Sequence, residues 1–151
     1  MVVELDGADK FKNVFPLLGP DGFGPTLFGL VDKKESGACV NAFPGKQKAI
    51  VDHKVFISNE DLEDEYARAL GGPETTKALI TGRFRSEKAI LQSTGCNSVA
   101  EITPEAAAQL CRGKGKVEAA TCIAEALTET TAGKIGSVAR LVWKLNELSQ
   151  Q

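Results

Sequence analysis

The segment Thr26–Val31 is a near-continuous run of apolar residues, and this run constrains the fold more than any other feature of the sequence. A short apolar run that follows a Gly- and Pro-rich stretch is typical of a strand buried on both faces, and such strands occur in parallel sheets covered by helices. Val55–Ile57 is a second run of this kind, and Met1–Leu5 is a third, which the turn pair Asp6-Gly7 ends. The first half of the chain is therefore predicted to form a parallel sheet.

The second half of the chain carries helical patterns and no further strand pattern. Thr103 precedes Pro104, which is the usual order of a capping residue and the first residue of a helix. Helices are predicted over Ala8–Leu18, Thr75–Phe84, Ser86–Gln92, Thr103–Cys111, Val117–Leu127 and Ile135–Leu148, with one more starting at Ser58 or Asn59. Lys33–Gly45 is predicted to be a loop. We therefore expect an α/β fold in which a sheet part, 1–72, and a helical part, 73–151, form one folding unit.

Cysteine use and charge narrow the classes of protein to which the chain can belong. The 151 residues include four cysteines without a CxxC pair and only one histidine, a composition that favours neither a zinc site nor a disulfide framework. Cys111 and Cys122 fall in apolar helical patterns and are expected to be buried free thiols. The sequence shows neither a signal-peptide pattern nor an apolar stretch long enough to span a membrane, so we expect a cytoplasmic protein with no membrane partner. The net charge of −2 leaves any contact with nucleic acid to local basic patches or bound cations.

Acidic residues follow both buried strands. Asp32 comes directly after the first strand, and Ser58, Glu60 and Glu63 follow the second. The carboxyl ends of parallel strands meet at one edge of a sheet, so these side chains are expected to converge there. Their oxygens are ligands that Mg²⁺ prefers, although the dipole at a helix N-terminus explains acidic residues in a first turn equally well.

The order Val-Glu-Leu-Asp-Gly-Ala-Asp-Lys-Phe, then Leu-Phe-Gly-Leu-Val-Asp32, then Val-Phe-Ile-Ser58-Asn-Glu60-Asp-Leu-Glu63 resembles the toprim domain of the OLD (overcoming lysogenization defect) family of nucleases. Lys116-Val117-Glu118-Ala119-Ala120 is similar to a later element of that family. The resemblance implies a metal-dependent DNA endonuclease that uses Mg²⁺ or Mn²⁺. It makes Asp32, Ser58, Glu60 and Glu63 metal-site residues, and Asp32 and Lys116 catalytic, with Lys116 near the scissile phosphate.

Partners also follow from this resemblance. The basic turn containing Arg112, Lys114 and Lys116 is a candidate DNA contact, and its glycines expose backbone amides that can also meet phosphate. An ATPase domain normally precedes such a toprim domain in the same polypeptide. Association of the chain with copies of itself is also possible.

Two positions depart from the family pattern. Lys34 stands where a second acid is expected after Asp32, and Glu4 is the only substitute for the glutamate of the first toprim strand. We therefore expect a toprim-like sheet that lacks its first strand, within a longer protein. A degenerate, non-catalytic module that binds DNA or a protein partner is the alternative, and a plain α/β interaction domain is a third hypothesis.

The single tyrosine and the single tryptophan, Tyr66 and Trp143, fall at apolar helical positions and are expected in the core.

Overall fold

The computed structural model of the chain describes residues 7–19, 22–24, 26–52 and 54–150. The predicted strand Met1–Leu5 and the histidine at position 53 lie outside these residues. The strands are β1 (Gly29–Val31) and β2 (Val55–Ile57). The α-helices are α1 (Phe11–Leu18), α2 (Ser36–Ala42), α3 (Lys48–Val51), α4 (Leu62–Leu70), α5 (Gly72–Thr81), α6 (Glu87–Thr94), α7 (Pro104–Cys111), α8 (Lys116–Ala126), α9 (Glu129–Ala132) and α10 (Gly136–Ser149).

These elements form two compact units. The first contains the described residues up to Leu62 together with those from Ser137 onward, and the second is Glu63–Gly136. The sequence changes from strand to helical patterns near residue 72, whereas the contacts divide at residue 62. The predicted parts 1–72 and 73–151, and their packing as one folding unit, stay predictions.

The sheet of the first unit is a parallel pair. Val31 of β1 lies opposite Ile57 of β2, and the register runs back to Gly29 opposite Val55. The predicted parallel pairing of these two runs is confirmed, and the fold is α/β in the broad sense that the described residues form many helices and a small parallel sheet. A toprim-like topology stays a prediction. The Arg140 guanidinium of α10 donates a hydrogen bond to the Ile57 carbonyl oxygen over 2.9 Å, at the carboxyl end of β2.

The predicted loop over Lys33–Gly45 is wrong, because Ser36–Ala42 forms helix α2. Cys39 and Val40 of this helix are buried in the core of the first unit, whose other buried members are Ala8, Val31, Phe43, Ala49 and Val55. Gly37 is a poor helix former, so burial of one face of the helix outweighs the weak local propensity. The helix packs closely on β1, since a Cβ atom at Gly29 would lie 2.8 Å from the Cys39 Sγ.

The second unit is built on α5, which contacts both α7 and α8. Its core holds Leu79, Ile90, Ile102 and Ile123. Gly72 begins α5 against the segment that leads into α7, and a Cβ atom there would overlap the Ile102 carbonyl oxygen. Only glycine allows this approach of two backbones.

Several local predictions are tested directly by the structure. The Thr103 hydroxyl caps α7 by accepting a hydrogen bond from the Ala106 N–H over 3.2 Å, as predicted. Cys111 and Cys122 are buried free thiols, and Tyr66 is buried, all as predicted. The prediction for Trp143 is wrong, because this residue of α10 is 58% exposed. In the part of the chain that the structure describes, no helix is long and apolar enough to cross a bilayer.

Candidate functional site

Asp32 lies at the carboxyl end of β1, where its side chain meets the turn that follows β2. Its Oδ1 accepts a hydrogen bond from the Leu62 N–H over 3.0 Å and lies 3.4 Å from the Ser58 Oγ, which donates to it. The Leu62 N–H belongs to the first residue of α4, so the carboxylate also lies at the positive end of this helix. The expected convergence of Asp32 with the Ser58 turn is thus present.

Glu60 lies on the same turn and pairs with Lys33. The Lys33 N–H donates to the Glu60 backbone oxygen over 3.3 Å, and the Lys33 Nζ lies 3.5 Å from the Glu60 Oε1. Both side chains are mostly exposed, so this ion pair is weak and either partner can exchange it for another. Sequence reasoning missed Lys33 as a partner, although it directly follows Asp32. Lys34 is exposed in the 3-10 turn that follows.

Glu63 lies in the first turn of α4 and is only 2% exposed. Its Oε1 lies 3.0 Å from the Nζ of Lys116, the first residue of α8. Its Oε2 is buried and has no hydrogen-bond partner among the residues that the structure describes. Two residues that the resemblance assigned to separate roles therefore form one ion pair, whereas their roles as metal ligand and phosphate contact stay predictions.

The basic turn between α7 and α8 has a second ion pair. The Arg112 Nη2 lies 2.7 Å from the Asp64 Oδ2, and its Nη1 donates to the Gln109 Oε1 over 3.0 Å. Lys114 is exposed. Asp64 was not singled out from the sequence, since nothing in the local pattern distinguishes it from the other acids of that turn. Arg112 is thus held by the fold, whereas Lys114 extends into solvent.

The Cys111 thiol lies close to these charges. Burial raises its pKa, and the negative charge of Glu63 adds to this effect, whereas a hydrogen bond with Tyr66 and the charges of Arg85 and Arg112 act in the opposite direction. The Sγ donates to the Ala107 carbonyl oxygen over 3.4 Å. A buried thiol that stays protonated is a poor nucleophile, so Cys111 serves packing rather than covalent catalysis.

No family model, curated protein or solved structure matches this chain. Its function must therefore be argued from the contacts described above and from the sequence resemblance.

Asp32 and the segment Ser58–Glu60 that follows β2 are together called the Asp32 turn, and this turn can be tested for its fit to Mg²⁺. Within residues 7–19, 22–24, 26–52 and 54–150, no group of three or more His, Cys, Asp or Glu side chains is arranged to hold a metal ion. The turn supplies one carboxylate beside a hydroxyl, with Glu60 nearby in the same turn. Mg²⁺ usually keeps several waters and binds proteins through one or two carboxylates. The turn therefore does not form a cage of several carboxylates, and its donors could meet only a largely hydrated Mg²⁺.

Proposed function

We propose that the Asp32 turn is the metal centre of a phosphodiester-cleaving domain of the toprim type, acting on DNA. The observation that carries this proposal is the contact of Asp32 with Ser58 and with the start of α4, at the carboxyl ends of two parallel strands. Ligands collect at this edge of α/β sheets because the loops that follow the strands meet there.

Asp32, Ser58 and Glu60 would hold Mg²⁺ or Mn²⁺, which supplies charge stabilisation and a lowered pKa of bound water to phosphodiester hydrolysis. Asp32 is oriented for this role by the Leu62 N–H, which holds Oδ1. Glu60 would be available to such a cation, because its ion pair with Lys33 is exposed and weak.

The basic turn that contains Arg112, Lys114 and Lys116 supports the DNA part of the proposal. Lys114 is exposed there and Lys116 is half exposed beside Glu63, so both ammonium groups can reach a phosphate, although Arg112 is paired with Asp64. Contacts of this type bind the phosphate backbone without reading the base sequence, and the affinity falls as salt rises. An ATPase domain in the same polypeptide and self-association belong to this proposal only through the family resemblance.

One observation favours the alternative, a non-catalytic module that binds DNA or a protein partner. Lys34 occupies the position of the expected second acid, and Lys33 pairs with Glu60. A lysine ammonium at such a turn supplies positive charge where a cation would otherwise bind, so the chain would keep the toprim-like form without the chemistry.

The experiment is a titration of Mg²⁺ and Mn²⁺ that follows the melting temperature and the nicking of supercoiled plasmid DNA. Asp32→Asn is the test variant, because asparagine keeps an acceptor for the Leu62 N–H and loses the charge. Asp52→Asn, at an exposed aspartate of the same unit, is the matched control. We expect metal to raise the melting temperature and to support nicking in the wild type and the control, and to do neither in Asp32→Asn. DNA binding without cleavage or metal response would support the alternative.

A further inference from the structure

Among the residues that the structure describes, the Glu63–Lys116 pair differs from the other lysine–glutamate pairs in the burial of its carboxylate. The glutamates that pair with Lys33, Lys77 and Lys144 are 63%, 58% and 41% exposed, whereas Glu63 is 2% exposed and Lys116 is 52% exposed. A buried carboxylate is costly unless a cation compensates it. The buried member of the pair therefore fixes the position of the exposed member.

The backbone of Lys116 is also fixed. Gly115 precedes it in a left-handed conformation with φ 85°, and a Cβ atom at Gly115 would lie 2.7 Å from the ring of Phe84. The turn thus packs closely on an aromatic ring and allows only glycine there. Lys116 begins α8, and within the described part of the chain no side chain caps that helix end. The positive end of a helix favours a nearby anion.

Burial also argues against Glu63 as a direct metal ligand. Its Oε1 is occupied by Lys116, and its Oε2 has almost no exposed surface. Mg²⁺ gives up its waters reluctantly, so a hydrated ion needs open space around the carboxylate that it contacts. The surroundings of Glu63 do not offer that space.

We propose that Glu63 is a positioning residue, which holds the Lys116 ammonium at the start of α8 where it contacts a DNA phosphate. This inference rests on the proposed function, because the phosphate contact of Lys116 is part of it. It replaces the predicted role of Glu63 as a metal ligand with a role exerted through Lys116.

Lysine acylation followed by mass spectrometry tests the contact without requiring any activity. Lys114 is the internal reference, since it is exposed in the same turn. We expect the Lys116 ammonium to react more slowly than Lys114 in the wild type, and the two rates to converge in Glu63→Gln. Equal rates in the wild type, or a rate of Lys116 that Glu63→Gln leaves unchanged, would overturn the inference. The wild-type comparison stands even if the variant fails to fold.

The affinity for a duplex oligonucleotide at fixed salt distinguishes positioning from simple charge. Glu63→Gln removes a negative charge, so charge alone predicts tighter binding, whereas loss of a fixed Lys116 predicts binding weaker by about 3- to 10-fold, the scale of one phosphate contact. Lys114→Gln calibrates the loss of one lysine from the same turn. Tighter or unchanged binding in Glu63→Gln would refute positioning.

The metal titration separates the two roles of Glu63. A positioning residue leaves the Mg²⁺ concentration for half-maximal thermal shift unchanged in Glu63→Gln, whereas loss of a ligand raises it. A raised concentration would restore Glu63 as a ligand and overturn the inference. If the wild type neither responds to metal nor binds DNA, the proposed function is refuted. The labelling rates test the contact of Glu63 with Lys116 separately, because they require neither metal nor DNA.

Discussion

Removing the ammonium of Lys116 should destabilise the protein more than removing the charge of Glu63. In the wild type the Lys116 Nζ lies 3.0 Å from the Oε1 of Glu63, whose side chain is only 2% exposed. Lys116→Gln leaves this buried carboxylate without a compensating cation. Breaking a fully buried pair in this way costs about 3–5 kcal/mol. Water can reach half of the Lys116 side chain and replace part of the lost interaction, so we expect about 2 kcal/mol.

Glu63→Gln has the smaller cost. It leaves a half-exposed ammonium that water solvates, and the loss of a pair with one exposed member is about 1 kcal/mol or less. Lysine at a helix N-terminus is itself unfavourable by about 0.3–1 kcal/mol, which reduces the net cost of Lys116→Gln slightly. The double variant Glu63→Gln/Lys116→Gln should recover most of the loss of Lys116→Gln, because no charge then remains buried.

Urea unfolding and thermal unfolding measure this asymmetry. A loss of about 2 kcal/mol corresponds to a fall in melting temperature of about 4–8 °C for a domain of this size. Lys114→Gln is the matched control, and it should change stability by less than about 0.5 kcal/mol because its side chain is exposed. Equal losses for Lys116→Gln and Glu63→Gln, or no recovery in the double variant, would show that Glu63 is not a buried charge that Lys116 compensates.

Further predictions concern stability. Burial raises the pKa of Cys39 to about 11 from 9.0, so the folded state keeps a proton that the unfolded state loses. This stabilising contribution is complete below pH 9.0 and is lost as the pH rises toward about 11. Urea unfolding between these pH values should show a flatter pH dependence of stability in Cys39→Ala than in the wild type, and an equally steep dependence in both would contradict the prediction. Gly72→Ala should cost more than about 2 kcal/mol through overlap with backbone, whereas Gly71→Ala, strained only by its φ of 92° with open space around it, should cost about 1–2 kcal/mol in thermal unfolding. Asp32→Ala should cost about 1–2 kcal/mol by removing the acceptor of the Leu62 N–H, and equal stability of Asp32→Ala and Asp32→Asn in urea would contradict that.

The sequence predicted the elements whose signals are local. Val55–Ile57 forms a strand as predicted, and Thr103 caps α7 because its hydroxyl needs only the next turn of the same helix. Helix α2 was missed because its stability comes from the burial of Cys39 and Val40 rather than from propensity. Trp143 was misplaced because an apolar helical stripe does not reveal whether another element covers it, and here this residue is largely exposed.

The candidate site likewise has one contact that the sequence predicted and one that it did not. The meeting of Asp32 with the Ser58 turn followed from parallel pairing, which places the two strand ends at one edge. The pairing of Glu63 with Lys116 could not be predicted, because it depends on how α8 packs within the second unit. Burial decides whether a glutamate meets water or an ammonium, and burial is a property of the folded unit rather than of the local sequence.

The most direct test of the account is the change in melting temperature on adding Mg²⁺ or Mn²⁺ to the wild type and to Asp32→Asn. A ligand that binds the folded state raises its stability according to its concentration relative to Kd, by about 2.7 kcal/mol at 100 times Kd. The account predicts a rise in the wild type that saturates, and none in Asp32→Asn. The same shift in both proteins, or none in either, would show that the Asp32 carboxylate does not hold a cation.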